Sequence, residues 1–177
     1  KHTKYDRIEP LKEAELLKLY TIEVERHHIK ALMIFLFLCS TGLRISDYNQ
    51  LSDKNIDGEL LTITTQKTNS VCYIPFYDDL FFRPVELYNK MGRFPKMSGQ
   101  KLNQTIQEIF IEHKLTRIVP TSKTGRKTFA SLKLIHGVPA EAIMISLGHK
   151  NRKSFDHYIG LDRADLLKMY KSKSILD

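Results

Sequence analysis

The stretch that decides the fold runs from Thr121 to Tyr158 and reads TSKTGRKTFASLKLIHGVPAEAIMISLGHKNRKSFDHY. Apolar residues recur in it at helical spacing, and glycines interrupt the pattern. Because glycine commonly follows the last turn of a helix, the pattern predicts one helix over 124–136 and another over 139–147. A short turn then leads to the tyrosine.

Polar side chains occupy the boundaries of these two helices. Lys123 and Arg126 fall at the start of the first helix, His149 comes directly after the second, and Tyr158 follows the histidine by nine residues. A helix start offers backbone N–H groups that bind anions, and side chains at helix ends converge on a ligand without a burial cost. Two cations, an imidazole and a phenol in this arrangement indicate chemistry on a phosphate group.

An earlier polar group follows the longest apolar run in the chain, ALMIFLFLC. At nine residues this run is about half the length that spans a bilayer, so it predicts a buried helix over about 23–39. The segment STGLRISD at 40–47 stops that helix. Arg44 then directly precedes a predicted short helix over 45–51, and Asp47 follows it by three residues.

The remaining segments predict a small sheet and more helices. Runs of β-branched and aromatic residues at 60–66 and 71–75 predict a β-hairpin with Lys67 at or near its turn. Pro84 predicts a broken helix, and 92–99 reads as a loop. Further helices are predicted to begin at Pro10 and to cover 100–113 and about 162–173. The predicted fold class is mainly α with a small antiparallel β-sheet or hairpin, that is α+β.

Length, charge and cysteine content limit the possible partners and cellular setting of the protein. The chain has 177 residues, the size of one domain, and its net charge of +8 favours an anionic partner, either nucleic acid or a membrane surface. Cys39 and Cys72 are the two cysteines of the chain, and they do not form a CxxC motif. No signal peptide is visible in the sequence. Both observations favour a reducing, cytoplasmic setting. No Walker-type loop or cluster of ligand residues is present in the sequence, so neither a nucleotide nor a metal is predicted as cofactor.

Five pieces of this sequence, taken in order, resemble the catalytic domain of the tyrosine recombinases, the phage integrase family. They are TGLRISD, the hairpin lysine, SKTGRKTFA, LGHK and the tyrosine nine residues after the histidine. The resemblance covers about 8–161. It implies the tyrosine recombinase catalytic-domain fold over 10–177, with a C-terminal helix near 162–173. It also implies that 1–9 is a linker from an N-terminal DNA-binding domain that is missing from the sequence.

The resemblance assigns catalytic roles. Arg44 and Arg126 would neutralise the phosphate in its transition state, and His149 would donate to a non-bridging oxygen. Tyr158 would be the nucleophile, forming a 3′-phosphotyrosyl link and releasing a 5′-hydroxyl. Lys67 would be the general acid for that leaving group. Taken alone, each of these side chains is typical of a surface or structural residue, and only the resemblance favours the catalytic role.

Three assignments remain open from the residues. Lys54 precedes the same hairpin, so the register does not decide between it and Lys67. Asp47 either supports one of the arginines or is an exposed helix carboxylate. Lys123 stands where many family members carry histidine: it keeps a donor and a positive charge, but a protonated lysine is not the proton acceptor that a neutral imidazole is.

The function predicted is that of a site-specific recombinase or integrase, which cleaves and rejoins DNA while integrating or excising a mobile element. The partners implied are double-stranded DNA and further copies of the chain, as a tetramer on paired sites held through the C-terminal segment. That last helix packing on its own core is the alternative. Other functions left open are a type IB topoisomerase and an inactive DNA-binding module. The predicted DNA contacts are Arg44, Lys67, Lys123, Arg126, Lys127 and Lys150.

Overall fold

A computed structural model describes residues 8–156, 159–160 and 163–172 of the chain. The helices it contains there are α1 (Glu13–Thr21), α2 (Arg26–Thr41), α3 (Ile45–Tyr48), α4 (Pro84–Met91), α5 (Gly99–Glu112), α6 (Ser122–Ile135), α7 (Ala140–Leu147), α8 (Arg152–Asp156) and α9 (Arg163–Ser172). The strands are β1 (Ile56–Asp57), β2 (Leu60–Thr64) and β3 (Val71–Pro75), with a 3₁₀ turn at Asp53–Asn55 before them. No helix in these ranges is both long and apolar enough to cross a membrane.

Helix α2 forms the centre of the core, because apolar side chains cover most of its circumference. It packs against α4, α5 and α6. The helix ends at Gly42, whose φ of +71° is a left-handed conformation that glycine adopts without strain. A Cβ at this position would lie 2.6 Å from Phe129 Cδ1, so no side chain fits there. The end of α2, and with it the position of Arg44, is therefore fixed by close packing against α6.

The sheet is antiparallel with the order β1-β2-β3. Its buried face consists of alternate residues, and its register pairs Leu61 with Ile74 and Ile63 with Cys72. Helix α7 packs against β3, where Ser146 Oγ donates a hydrogen bond to the carbonyl of Tyr73 at 2.9 Å. The turn between β2 and β3 is thus held close to the end of α7.

The fold class predicted from the sequence is confirmed, and several details differ. Helix α3 ends three residues earlier than predicted. The sheet has a third strand, β1, that was not predicted. Helix α4 is regular rather than broken, because Pro84 occupies its first turn, where a missing N–H costs nothing. Helix α1 begins at Glu13, so Pro10 lies before the helix rather than in its first turn. Helix α2 begins at Arg26, three residues later than predicted.

The last described helix, α9, packs on α6 of its own chain, with Met169 partly buried against the core. Its outward side leaves Leu166, Leu167 and Tyr170 exposed. Packing on the chain's own core is therefore observed. Docking of this helix on a neighbouring subunit stays a prediction.

Candidate active site

Four of the predicted cations line one cleft of about 300 Å³. Arg44 comes from the start of α3, Lys67 from the turn between β2 and β3, and Lys123 and Arg126 from the first turns of α6. None of the described residues lining the cleft is acidic. Segments distant in sequence therefore place several positive charges together, and the resulting positive potential favours the binding of an anionic group.

Arg126 is the most deeply held of the four, with 4% of its surface exposed. Its Nη1 donates to the carbonyl of Gly42 at 2.7 Å, and its Nη2 donates to the carbonyl of Leu147 at 2.6 Å. These carbonyls end α2 and α7, where the helix dipoles place partial negative charge. The two bonds fix the plane of the guanidinium and offset part of the cost of burying its charge.

Asp47 connects two parts of the site. The residue is 1% exposed, and its Oδ2 lies 3.7 Å from Nη1 of Arg44. Its Oδ1 accepts a hydrogen bond from the backbone N–H of Gln66 at 3.0 Å. Since Gln66 directly precedes Lys67, one buried carboxylate contacts both an arginine of the cleft and the turn that carries its lysine. Asp47 is thus not an exposed helix carboxylate.

The structure separates the two candidate hairpin lysines. Lys67 is exposed at the turn and lines the cleft together with the two arginines. Lys54 lies in the 3₁₀ turn before β1 and lines a different cleft, which it shares with Arg93 and Lys96. Only Lys67 is therefore placed to act on a group bound between the arginines.

His149 follows the end of α7, and its backbone N–H donates to the carbonyl of Met144 at 3.0 Å, which closes the helix. Its ring contacts Phe155 edge-on, with centroids 6.2 Å apart. Burial, together with the positive charges of Arg126 and Arg44, lowers the pKa of His149 from 6.5 to about 4. The imidazole is therefore neutral at neutral pH and carries one N–H donor.

The other predicted site residues lie in different surroundings. Lys123 is exposed in the first turn of α6 and lines the cleft, whereas Lys127 on the same helix is only 9% exposed. Lys150 is exposed but does not line the cleft. Tyr158 lies outside the described residues. Within the described ranges, no group of three or more His, Cys, Asp or Glu side chains is arranged to hold a metal ion.

Two hydroxyls that sequence reasoning missed also line the cleft, those of Ser46 and Ser122. The backbone N–H of Ser122 donates to Oδ1 of Asn103 at 2.8 Å, which ties the start of α6 to α5. Its place directly before Lys123 at a helix start was a signal that could have identified it. Ser46 gave no comparable signal.

The model of the phage integrase family matches residues 9–164. No curated protein sequence matches the chain. The chain is also similar in structure to solved recombinases and integrases.

The structure of XerA recombinase has a TM-score of 0.72 at 16% identity and covers 94% of this chain and 65% of its own. A lambda integrase dimer bound to a core site has a TM-score of 0.73 at 19% identity, over 89% of this chain and 61% of its own. The Tn1549 transposon integrase in complex with circular intermediate DNA has a TM-score of 0.69 at 17% identity, over 97% and 67%. At these identities the likeness shows a shared fold, and the chain spans roughly two thirds of the length of these proteins.

Proposed function

The chain belongs to the phage integrase family, and we propose that it is the catalytic domain of a tyrosine recombinase that cuts and rejoins DNA strands at specific sites. The observation that carries this proposal is the convergence of Arg44, Lys67, Lys123 and Arg126 on one cleft. A cleft of this charge matches a phosphodiester, whose transition state gains negative charge on its non-bridging oxygens.

In the proposed reaction, the phenol oxygen of Tyr158 attacks the phosphorus of the scissile phosphodiester. A bond from phosphorus to the tyrosine forms, the bond to the 5′-oxygen breaks, and a 3′-phosphotyrosyl link results. Lys67 gives a proton to the departing 5′-oxygen, which leaves as a hydroxyl. The phenol proton ends in solvent, because an imidazole with a pKa of about 4, such as that of His149, does not keep a proton at neutral pH.

The arginines stabilise charge in this scheme. A guanidinium forks onto two phosphate oxygens, and the buried bonds of Arg126 to two helix-end carbonyls hold it in place before DNA arrives. Neutral His149 donates one further hydrogen bond to a non-bridging oxygen, and Lys123 adds positive charge. Because the phosphotyrosyl link conserves the energy of the phosphodiester it replaces, the exchange needs no nucleotide and is reversible.

The proposed substrate is double-stranded DNA, and the proposed working form is a tetramer on paired sites, assembled through the C-terminal segment. Similar structures include an integrase dimer on a core site and a transposon integrase with circular intermediate DNA. The net charge of +8 agrees with a polyanionic partner and predicts steep salt dependence of binding. Integration or excision of a mobile element is the corresponding biological role. Lys150 stays a proposed DNA contact, whereas burial leaves Lys127 little surface to offer.

A covalent trapping experiment tests the proposal. The chain is incubated with a nicked duplex that carries the junction sequence of its own element, in excess chelator, and the products are separated on a denaturing gel. We expect an adduct that Tyr158→Phe abolishes. The matched control is Tyr77→Phe, which alters an exposed tyrosine outside the cleft and should leave the adduct unchanged.

The outcomes separate the candidate functions. An adduct that needs Tyr158 but leads only to relaxation of supercoiled DNA, without strand exchange between two duplexes, would indicate a topoisomerase. If neither this chain nor a longer parent chain forms an adduct on DNA that it binds, the enzyme is refuted and a DNA-binding module remains.

A further inference from the structure

Two buried hydroxyls one turn apart on α6 receive backbone N–H groups from opposite ends of the chain. Oγ1 of Thr128 accepts the N–H of Leu11 at 2.9 Å, and Oγ of Ser131 accepts the N–H of Gly160 at 3.1 Å. The segment that leads into α1 therefore lies beside the segment that follows Tyr158 by two residues. Both are fixed on the helix that carries Arg126.

Gly160 is needed here for space. A Cβ at this position would lie 2.6 Å from Cδ of Pro10, closer than real Cβ atoms approach other atoms, and 3.0 Å from Cγ of the same ring. Pro10 is itself buried, and its carbonyl accepts a hydrogen bond from Nη2 of Arg117 at 2.8 Å. The proline ring thus occupies the place that any side chain at position 160 would need, and it is not free to move away.

Ion pairs that join α9 to Lys12 and to the first residue of α1 reinforce this arrangement. Nζ of Lys12 lies 3.2 Å from Oδ2 of Asp165, and Lys168 donates to the carboxylate of Glu13. Such partly exposed pairs contribute little individually, so they support the packing at Gly160 rather than replace it.

The segment that carries Tyr158 is also held before the tyrosine. Phe155 is fully buried and contacts the ring of His149. Four residues separate Phe155 from Gly160, and Tyr158 is one of them. The described residues on either side of position 158 are therefore both held by contacts with the rest of the fold.

We propose that Ser131, Gly160 and Pro10 are positioning residues for the nucleophile, and this inference rests on the proposed function. In-line attack requires the phenol oxygen to lie about 3–3.5 Å from phosphorus. Loosening the anchor at Gly160 lowers the fraction of time that Tyr158 spends at that distance. It leaves the charge of the cleft, and hence DNA binding, unchanged.

The first test introduces a steric clash at position 160 and then relieves it with a second substitution. Gly160→Ala places a methyl group against the ring of Pro10, and we expect single-turnover cleavage of the nicked duplex to fall about tenfold. Pro10→Ala removes both ring atoms that the methyl group meets, so the double variant should recover most of the rate. Binding of the duplex, measured by fluorescence anisotropy, should be the same in all of these chains.

Ser131→Ala tests the hydrogen bond directly, and we expect about a fivefold fall in cleavage rate, the effect of one ordinary hydrogen bond. Ser40→Ala is the control for loss of a buried serine outside this segment. Oγ of Ser40 accepts the N–H of Arg83 at 3.1 Å and also hydrogen-bonds the phenol of Tyr20 at 3.0 Å. Its thermal stability should fall at least as far as that of Ser131→Ala, with cleavage retained by the folded protein.

A small nucleophile separates positioning from general damage to the site. In a Tyr158→Gly background, hydroperoxide attacks phosphorus in place of the phenol and expels the same 5′-hydroxyl. We expect Gly160→Ala to leave this reaction unchanged, because no tyrosine has to be positioned. Equal loss of the peroxide reaction, or full cleavage by both Gly160→Ala and Ser131→Ala, would overturn the inference alone. An adduct that persists in Tyr158→Phe would overturn the proposed function itself.

Discussion

Asp47 offers the sharpest test of how the site is assembled, because one side chain contacts both the arginine and the turn that carries the proposed acid. Replacing it in Asp47→Ala removes the acceptor of the Gln66 N–H at 3.0 Å. It also removes the negative charge that lies 3.7 Å from Arg44. We expect the turn at Lys67, the next residue along the chain, to be held less firmly, and the proposed general acid with it.

The size of the effect follows from the bond that is lost. A hydrogen bond to a charged group contributes about 1.5–3 kcal/mol, so a loss of about 2 kcal/mol in holding the turn corresponds to about a 30-fold lower cleavage rate. Asp47→Asn keeps an oxygen that accepts the Gln66 N–H but loses the charge. A loss of about 1 kcal/mol, or about fivefold in rate, is expected for it.

The assay compares two substrates that differ in one atom. In the first the bridging 5′-atom is oxygen, and in the second it is sulfur, which leaves as a thiolate without needing a proton. Lys67→Ala should be slow on the oxygen substrate and close to the unaltered chain on the sulfur substrate. Lys54→Ala, which changes the lysine of the other cleft, is the matched control and should be unaffected on both.

If Asp47 acts by holding the turn, the 30-fold loss of Asp47→Ala should shrink on the sulfur substrate as that of Lys67→Ala does. A loss of the same size on both substrates would refute the reasoning, because it would mean that Asp47 acts through the charge of Arg44 alone. Thermal unfolding of both variants shows whether the folded population has changed.

Three further predictions concern the frame of the site. Arg126→Lys cannot bond two helix-end carbonyls at once, so urea denaturation should show a loss of about 2–4 kcal/mol in unfolding free energy, together with loss of cleavage. Gly125→Ala would place a Cβ 2.9 Å from Cβ of Leu38, so its thermal midpoint should fall although alanine is the better helix former.

An NMR titration of His149 in the chain without DNA should give a pKa of about 4. The free energy of unfolding should decline as pH falls from 6.5 towards 4, because only the unfolded imidazole takes up a proton there. His149→Gln should lack that part of the decline.

Local pattern was enough to predict most of the elements and some of their ends. The apolar run of α2, the left-handed glycines after α2 and α7, and the alternation in β2 and β3 each depend on neighbours in sequence. Strand β1 was missed because two residues carry no period, and α4 was misread because the same proline both breaks and begins helices. The spacing of motifs then indicated which cations belong together.

The contacts that hold those cations in place could not be predicted from the sequence. The bonds of Arg126 to Gly42 and Leu147 join residues 84 and 21 positions apart, and they involve backbone carbonyls, which every residue carries. The choice between Lys67 and Lys54 likewise depended on the path of the chain after α3. The type of a side chain can indicate that it belongs to a site. A backbone carbonyl that binds this side chain can be identified only from the folded structure.

The charge balance of the cleft explains why these backbone partners matter. Arg44, Lys67, Lys123 and Arg126 repel one another, and folding must bring them together before any anion is bound. Asp47 offsets part of this repulsion at Arg44, and the carbonyl ends of α2 and α7 offset part of it at Arg126. A carboxylate lining the cleft itself would stabilise the empty site further, but it would compete with the phosphate for the same donors. Carbonyl groups carry only partial charge, so they hold a guanidinium in place while leaving its full positive charge to act on DNA.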